Sequence, residues 1–229
     1  MKLLVLDTST EWCSAALWLD GQVEARRVLA EQRHSSLLLP MVDDLLRAAD
    51  VRLAALDGIA YGAGPGSFTG LRIACAVTQG LALGAGCPVV GVSTLEAIAE
   101  QTGAPRVLTV LDARMSEVYW AAYAREGAAW QARVAPRLAL PESVQVPEDG
   151  DWVGAGNGFA VLDAGLRGAL VDALVRVDDT LMPDAAAMAP LAAAAFARGE
   201  GVDAALAAPI YLRDKVALTV DERRARAQA

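Results

Sequence analysis

The sequence carries a glycine-rich run at residues 62–70, between a short apolar stretch and a segment with helical spacing. Such a turn presents free backbone N–H groups at a helix N-terminus, where phosphate or another anion can bind. The lysine of a phosphate-binding P-loop is missing, and the glycine spacing differs from that motif. The run also suits a structural role, in which Pro65 turns the chain, Ser67 caps the helix and Gly70 permits close packing. Its candidate site residues are Gly64, Pro65, Gly66, Ser67, Thr69 and Gly70.

A second candidate is the polar turn of Asp7, Thr8 and Ser9, which ends the first apolar stretch. Hairpins that wrap a phosphate normally carry glycine in this turn, because a side chain obstructs the close approach of backbone. Ser9 stands where that glycine is expected, so phosphate binding is the weaker interpretation. Asp112 ends a matching apolar stretch in the second half of the chain and is a further candidate.

Histidine and cysteine content limits the chemistry further. His34 is the only histidine, no G-x-S-x-G elbow is present, and a place at the surface or at a helix start is predicted for it. A catalytic metal site usually needs several imidazoles, or imidazoles with carboxylates at helical spacing. The three cysteines are far apart and form no C-x-x-C pair, which indicates buried thiols. No metal site is predicted.

Composition indicates a folded, acidic chain. Of 229 residues, 55% are hydrophobic, and 20 lysines and arginines stand against 28 aspartates and glutamates, for a net charge of −8. No uninterrupted apolar run reaches the roughly 18 residues of a membrane-spanning helix, and the N-terminus is unlike a signal peptide, so a cytoplasmic protein is expected. Net negative charge opposes nucleic-acid binding by this chain alone. The basic cluster of Arg223, Arg224 and Arg226 is expected to be a solvated tail.

The candidate residues must be positioned by strands and helices that the hydrophobic pattern predicts. Strands are expected at 2–6, 12–19 and 22–29, with a hairpin turn at Asp20-Gly21. After residue 32 the pattern becomes helical, and further helices are predicted at 68–83 and 94–101, with strands at 59–62 and 88–92.

The second half of the chain begins as the first does. Val110-Leu111-Asp112 repeats Val5-Leu6-Asp7 at a distance of 105 residues, and an alanine pair and a glycine follow in both copies. Chance similarity between two amphipathic hairpins is the alternative. We predict a two-lobed α/β protein with mixed sheets, divided into residues 1–104, residues 105–208 and a tail at 209–229.

Two predicted helices of the first half carry more apolar surface than one sheet can cover. The first has two adjacent apolar stripes, and the second combines an apolar face with a ridge of small residues. Burial on all sides within one chain is one interpretation. The other is a surface for association with a partner, with candidate residues Leu37, Leu38, Met41, Leu45, Ile73, Val77 and Gly80.

These motifs together resemble the bacterial TsaB (YeaZ) family. The similarity includes Asp7-Thr8-Ser9-Thr10, Gly-Pro-Gly-Ser-Phe-Thr-Gly at 64–70, Asp112-Ala113-Arg114 and Tyr211-Leu212-Arg213, and it is strongest over residues 1–125. The resemblance implies an actin-like or Hsp70-like (ASKHA) fold, with duplicated βββαβαβα halves and a reduced second lobe.

The resemblance also implies a function in the biosynthesis of tRNA threonylcarbamoyladenosine. In that family the chain pairs with a homologous catalytic subunit, TsaD, and with a small P-loop ATPase, TsaE. The complex transfers threonylcarbamoyl to N6 of the adenosine beside the anticodon. TsaD holds a metal with a His-x-x-x-His pair that this chain lacks, which implies a non-catalytic partner subunit without an intrinsic cofactor.

Further expectations follow from this resemblance. ATP is expected only in the assembled complex, and tRNA only through the complex. When the chain is alone, a homodimer through the first two helices is expected, because one self-complementary patch produces a two-fold dimer.

A stand-alone enzyme is the alternative. An ATP-dependent phosphotransferase or hydrolase of the actin-like class would use Asp7, Asp112 and the glycine-rich turns. A metallopeptidase is a third interpretation, and the small number of potential ligands argues against it.

Overall fold

Two five-stranded sheets form the frame of the molecule. The computed structural model describes residues 1–213. The basic cluster of Arg223, Arg224 and Arg226, and most of the predicted tail, lie outside the described residues.

The first sheet combines an antiparallel hairpin with parallel strands. Its strands are β1 Lys2–Asp7, β2 Trp12–Leu19, β3 Gln22–Leu29, β4 Gly58–Gly64 and β5 Val89–Ser93. They lie in the order β3-β2-β1-β4-β5. The hairpin turns at Asp20 and Gly21, whose φ angles of 52° and 102° suit a tight turn between twisted strands. The helices of this half are α1 His34–Ala48, α2 Phe68–Ala85 and α3 Thr94–Gln101.

The second sheet repeats the first. Its strands are β6 Arg106–Asp112, β7 Val118–Glu126, β8 Ala129–Ala139, β9 Val153–Ala155 and β10 Arg176–Asp178. Their order, β8-β7-β6-β9-β10, is that of the first sheet with β6 in the place of β1. The helices of this half are α4 Ala164–Asp172 and α5 Ala185–Ala197. Only a single 3-10 turn, Pro141–Ser143, stands where α1 lies in the first half, so the predicted duplication with a reduced second lobe is confirmed.

The last helix of each half packs on the sheet of the other half. Met188 and Ala192 of α5 pack against Leu3 and Val5 of the first sheet. In the same way α3 packs against β6 and β7. The chain therefore returns to the first lobe at α5, within the predicted second segment of 105–208. Helical periodicity predicts an apolar stripe, but it does not say which sheet covers that stripe.

Helices α1 and α2 cover the other face of the first sheet. Leu38 and Leu45 of α1 are fully buried there, in one cluster with Leu4 and Leu6 of β1. Their prediction as partner-interface residues is therefore wrong, because they form the stripe of α1 that packs on its own sheet. The second stripe, with Leu37 and Met41, is half-buried.

Helix α2 is, among residues 1–213, the one helix long and apolar enough to cross a membrane by length and composition alone. The same test is passed by a helix packed on a core. Leu71, Ala74 and Cys75 of α2 are buried against the first sheet.

Leu45 provides a test of this packing. Leu45→Ala is expected to lower the free energy of unfolding by about 2–5 kcal/mol, because it leaves a cavity in a closed core. Urea denaturation measures the change. Leu39→Ala is the matched control, since Leu39 lies on the same helix and is 48% exposed; a loss below about 1 kcal/mol is expected there. Equal losses in the two variants would contradict this packing.

Candidate functional site

A cleft lies between the two lobes. Its volume is about 740 Å³, within the usual range of a small-molecule site. One wall is formed by Ser9 and by the glycine-rich run from Pro65 to Gly70. The opposite wall includes Asp112 and Arg114, and residues 210–213 complete the lining. The cleft thus brings together most of the residues that the sequence predicts for the motif turns, while Asp7, Thr8 and Gly64 are buried behind its surface.

The turn between β1 and β2 is closed by the start of α2. The hydroxyl of Thr8 donates to the carbonyl oxygen of Gly70 at 2.7 Å. The backbone N–H of Ser67 donates to the carbonyl oxygen of Ser9 at 2.7 Å. The N–H of Ser9 donates to Asp7 Oδ1 at 3.3 Å. These three donors are therefore satisfied within the chain.

Two glycines of the run are required by this contact. A Cβ at residue 66 would lie 2.5 Å from the carbonyl oxygen of Ser9. A Cβ at residue 70 would overlap the carbonyl oxygen of Thr8. Ser67 caps α2, since its side chain accepts from the N–H of Gly70, while Thr69 is exposed. The geometry therefore supports the structural interpretation of the run over anion binding.

Asp7 is fully buried at the end of β1. Ser9 donates to it from both its N–H and its hydroxyl, the latter at 3.1 Å to Oδ2. Burial raises the pKa of Asp7 to about 7, and Asp184 adds to the rise, whereas the Ser9 hydrogen bonds and Arg27 oppose it. A protonated carboxyl group is thus accessible near neutral pH.

Asp112 occupies the equivalent place in the second lobe, but its surroundings differ. Its carboxylate accepts from the N–H of Arg114 at 2.7 Å and pairs with the guanidinium of that residue at 3.0 Å. Its own N–H donates to Asn157 Oδ1 at 3.0 Å. The two aspartates therefore occupy equivalent places but have different hydrogen-bond and ion-pair partners.

His34 begins α1 and is buried, with Nε2 2.8 Å from the carbonyl oxygen of Thr10. Its position at the helix start is as predicted, but it does not lie at the surface. Within residues 1–213, no group of three or more histidine, cysteine, aspartate or glutamate side chains is placed to hold a metal ion.

The outer face of α2 is apolar. Leu83 is 81% exposed, and the positions of a Cβ at Gly80 and Gly84 are open. Arg72 is the only charged residue among the 18 of α2. We call this the helix surface; its members are Leu39 of α1 and Ile73, Ala76, Val77, Gly80, Leu83 and Gly84 of α2. Leu37 and Met41 lie on the other flank of α1, beside Arg27 and Val28 of β3. Sequence reasoning missed Leu39 and Leu83, although Leu83 follows Ala76 and Gly80 at helical spacing.

The chain is similar to known proteins over nearly its full length. A family model described as "TsaD: tRNA N6-adenosine threonylcarbamoyltransferase" matches residues 28–219. The "tRNA threonylcarbamoyladenosine biosynthesis protein TsaB" of Escherichia coli K12 is 44% identical over 95% of this chain and 96% of its own length. The protein of that name from Haemophilus influenzae is 33% identical over 94% of this chain and 95% of its own length. The solved structure of YeaZ from Pseudomonas aeruginosa has a TM-score of 0.83 at 43% identity and covers 92% of this chain and 99% of that one.

Asp7 makes stability depend on pH. Because its folded-state pKa of about 7 lies above the ordinary 3.8, the free energy of unfolding is expected to fall as pH rises from about 4 to about 7. Asp7→Asn removes the buried charge and is expected to be more stable than the parent at pH 8 by a few kcal/mol. Thermal unfolding at pH 4, 6 and 8 measures both effects.

Asp112→Asn is the control, since Asp112 is ion-paired at the equivalent place. Asp112→Asn is expected to be no more stable than the parent at pH 8. If the stability of Asp7→Asn depends on pH as strongly as that of the parent, the Asp7 carboxyl group is not the cause of the pH dependence.

Proposed function

The chain belongs to the TsaB (YeaZ) family of tRNA threonylcarbamoyladenosine biosynthesis proteins, and we propose that it acts in this process as the non-catalytic partner of a TsaD-type subunit. The helix surface is the observation that carries the proposal. A large apolar residue such as Leu83, 81% exposed on a helix with a single charge, is typical of an association surface.

The small residues of the helix surface suit a helical partner. Gly80 and Gly84 are one turn apart, and nothing lies within 4 Å of the Cβ position of either. A partner helix can therefore approach the backbone of α2 closely, with Ile73 and Val77 beside the contact. Leu39 of α1 is 48% exposed and adds to the apolar area.

The motif turns support the non-catalytic part of the proposal. Thr8 and Ser9 of the β1–β2 turn are hydrogen-bonded to Asp7 and to the start of α2. The chain has a single histidine, so it cannot supply two imidazoles to a metal ion. The chemistry of the transfer then belongs to the TsaD-type subunit.

The proposal extends to the other members of the complex. A TsaE-type P-loop ATPase is a further partner, ATP is bound only in the assembled complex, and tRNA is contacted only through it. The net charge of −8 supports the last point, since binding to a phosphate backbone needs clustered cations. Alone, the chain forms a homodimer through the helix surface, and it acts in the cytoplasm.

The interlobe cleft favours a second candidate, a stand-alone ATP-dependent phosphotransferase or hydrolase. Its volume of about 740 Å³ would accommodate a nucleotide. Calorimetry of the isolated chain with Mg-ATP distinguishes the two functions: the partner role predicts no binding, and micromolar binding with turnover would favour the enzyme.

Leu83→Glu tests the partner role. The substitution places a charge on the helix surface, and burying that charge on docking is expected to weaken the complex at least tenfold. Gel filtration of the variant mixed with the TsaD-type subunit measures co-elution, and circular dichroism checks the fold.

Val175→Glu is the matched control, because Val175 is 64% exposed on the second lobe. It is expected to leave co-elution and tRNA modification unchanged. Normal co-elution and modification with Leu83→Glu would refute the proposed surface.

A further inference from the structure

Residues 207–213, which we call the strap, pass from the first lobe to the second. Its first residues are bonded to the first lobe. The side-chain amide of Gln79 donates to the carbonyl oxygen of Ala207 at 3.1 Å. The N–H of Ala208 donates to the hydroxyl oxygen of Tyr61 at 2.9 Å. The N–H of Ile210 donates to the carbonyl oxygen of Ala63 at 2.7 Å.

Tyr211 attaches the middle of the strap to the start of α2. Arg72 Nε donates to the hydroxyl oxygen of Tyr211 at 2.9 Å. The guanidinium of Arg72 also lies 3.9 Å from the ring centroid of Phe68, and the rings of Phe68 and Tyr211 are 5.4 Å apart. Stacking and a charge-assisted hydrogen bond thus act on the same side chain.

Arg213 attaches the end of the strap to the second lobe. Its Nη1 lies 2.6 Å from Glu117 Oε2, and its Nη2 donates to the carbonyl oxygen of Ala113 at 2.9 Å. The side chain is only 13% exposed, so this ion pair is screened less by water than a surface pair.

The turn that Arg213 holds is strained. Arg114, Met115 and Ser116 have φ angles of 62°, 57° and 62°, and three successive non-glycine residues in the left-handed region carry a free-energy cost. Such a backbone persists only where its surroundings hold it. The guanidinium of Arg213 is bonded to residues on both sides of this strained stretch.

The strap also borders the cleft. Residues 210–213 all line it, and the carbonyl oxygen of Ile210 would lie 2.8 Å from a Cβ at residue 64, where φ is 121°. The strap therefore requires glycine at this position in order to pass close to the first lobe. A movement that separates the lobes at the cleft has to break the contacts of Tyr211 or those of Arg213.

We infer that the strap is a latch that holds the two lobes at a fixed separation, with the Arg72–Tyr211 contact and the Arg213–Glu117 pair as its two ends. Breaking either end frees the strap on that side and lets the cleft widen there, while α3 and α5 still join the two lobes. The inference concerns the isolated chain and stands whether or not the helix surface binds a partner.

Hydrogen exchange of the full chain tests the latch through effects across the cleft. Arg213→Ala is expected to accelerate exchange roughly tenfold at the start of α2, where the N–H of Leu71 is bonded to Ser67. Tyr211→Ala is expected to do the same at the β6–β7 turn, where the N–H of Ala113 is bonded to Glu117. For each variant, amide exchange is thus measured at the end of the strap that the substitution does not touch.

Arg137→Ala controls for loss of an arginine, because Arg137 lies on β8 and bonds to Ala135; neither probe should respond to it. Acceleration confined to the end that carries the substitution, or no acceleration, would overturn the latch. If Arg213→Ala exchanges faster throughout both lobes, it is globally unstable. Arg213→Lys and Tyr211→Phe, which each keep part of the contact, then carry the same test, with a smaller but still remote acceleration expected.

Discussion

Backbone contact between the β1–β2 turn and the glycine-rich run is the constraint on which the first lobe depends. Only glycine at 66 and 70 lets the run lie against Thr8 and Ser9. The contact fixes the start of α2, and with it the exposed face of that helix. The same contact satisfies the hydroxyl of Thr8 and the carbonyl oxygen of Ser9, so the closed turn and the position of the helix surface have one structural origin.

The two halves share a strand order but have diverged at their equivalent turns. Asp7 is buried in a turn closed by α2, whereas Asp112 pairs with Arg114 in a turn held from outside by Arg213. The first half keeps two helices on the outer face of its sheet. The second half has a single 3-10 turn in place of the first of them. The duplicated frame therefore has the exposed apolar face of α2 on one lobe and the strained turn on the other.

Much of the frame could be predicted from the sequence, because it depends on local signals. The Asp20-Gly21 hairpin and the repeat of Asp7 at Asp112 are examples. The packing of α3 on the second sheet and of α5 on the first could not be predicted, because the spacing of apolar residues in a helix does not indicate which sheet they contact. Both stripes of α1 contain large apolar residues, so burial of Leu38 and Leu45 rather than Leu37 and Met41 depends on tertiary packing. The strap has no periodicity, and its contacts with Arg72 and Glu117 are distant in sequence.

Hydrogen exchange of the chain with and without its TsaD-type partner tests the central claim most directly. The account predicts that the partner protects amides of α1 and α2, while β8 and α4 of the second lobe exchange as in the free chain. Protection confined to the second lobe or to the cleft, with α1 and α2 unchanged, would contradict it.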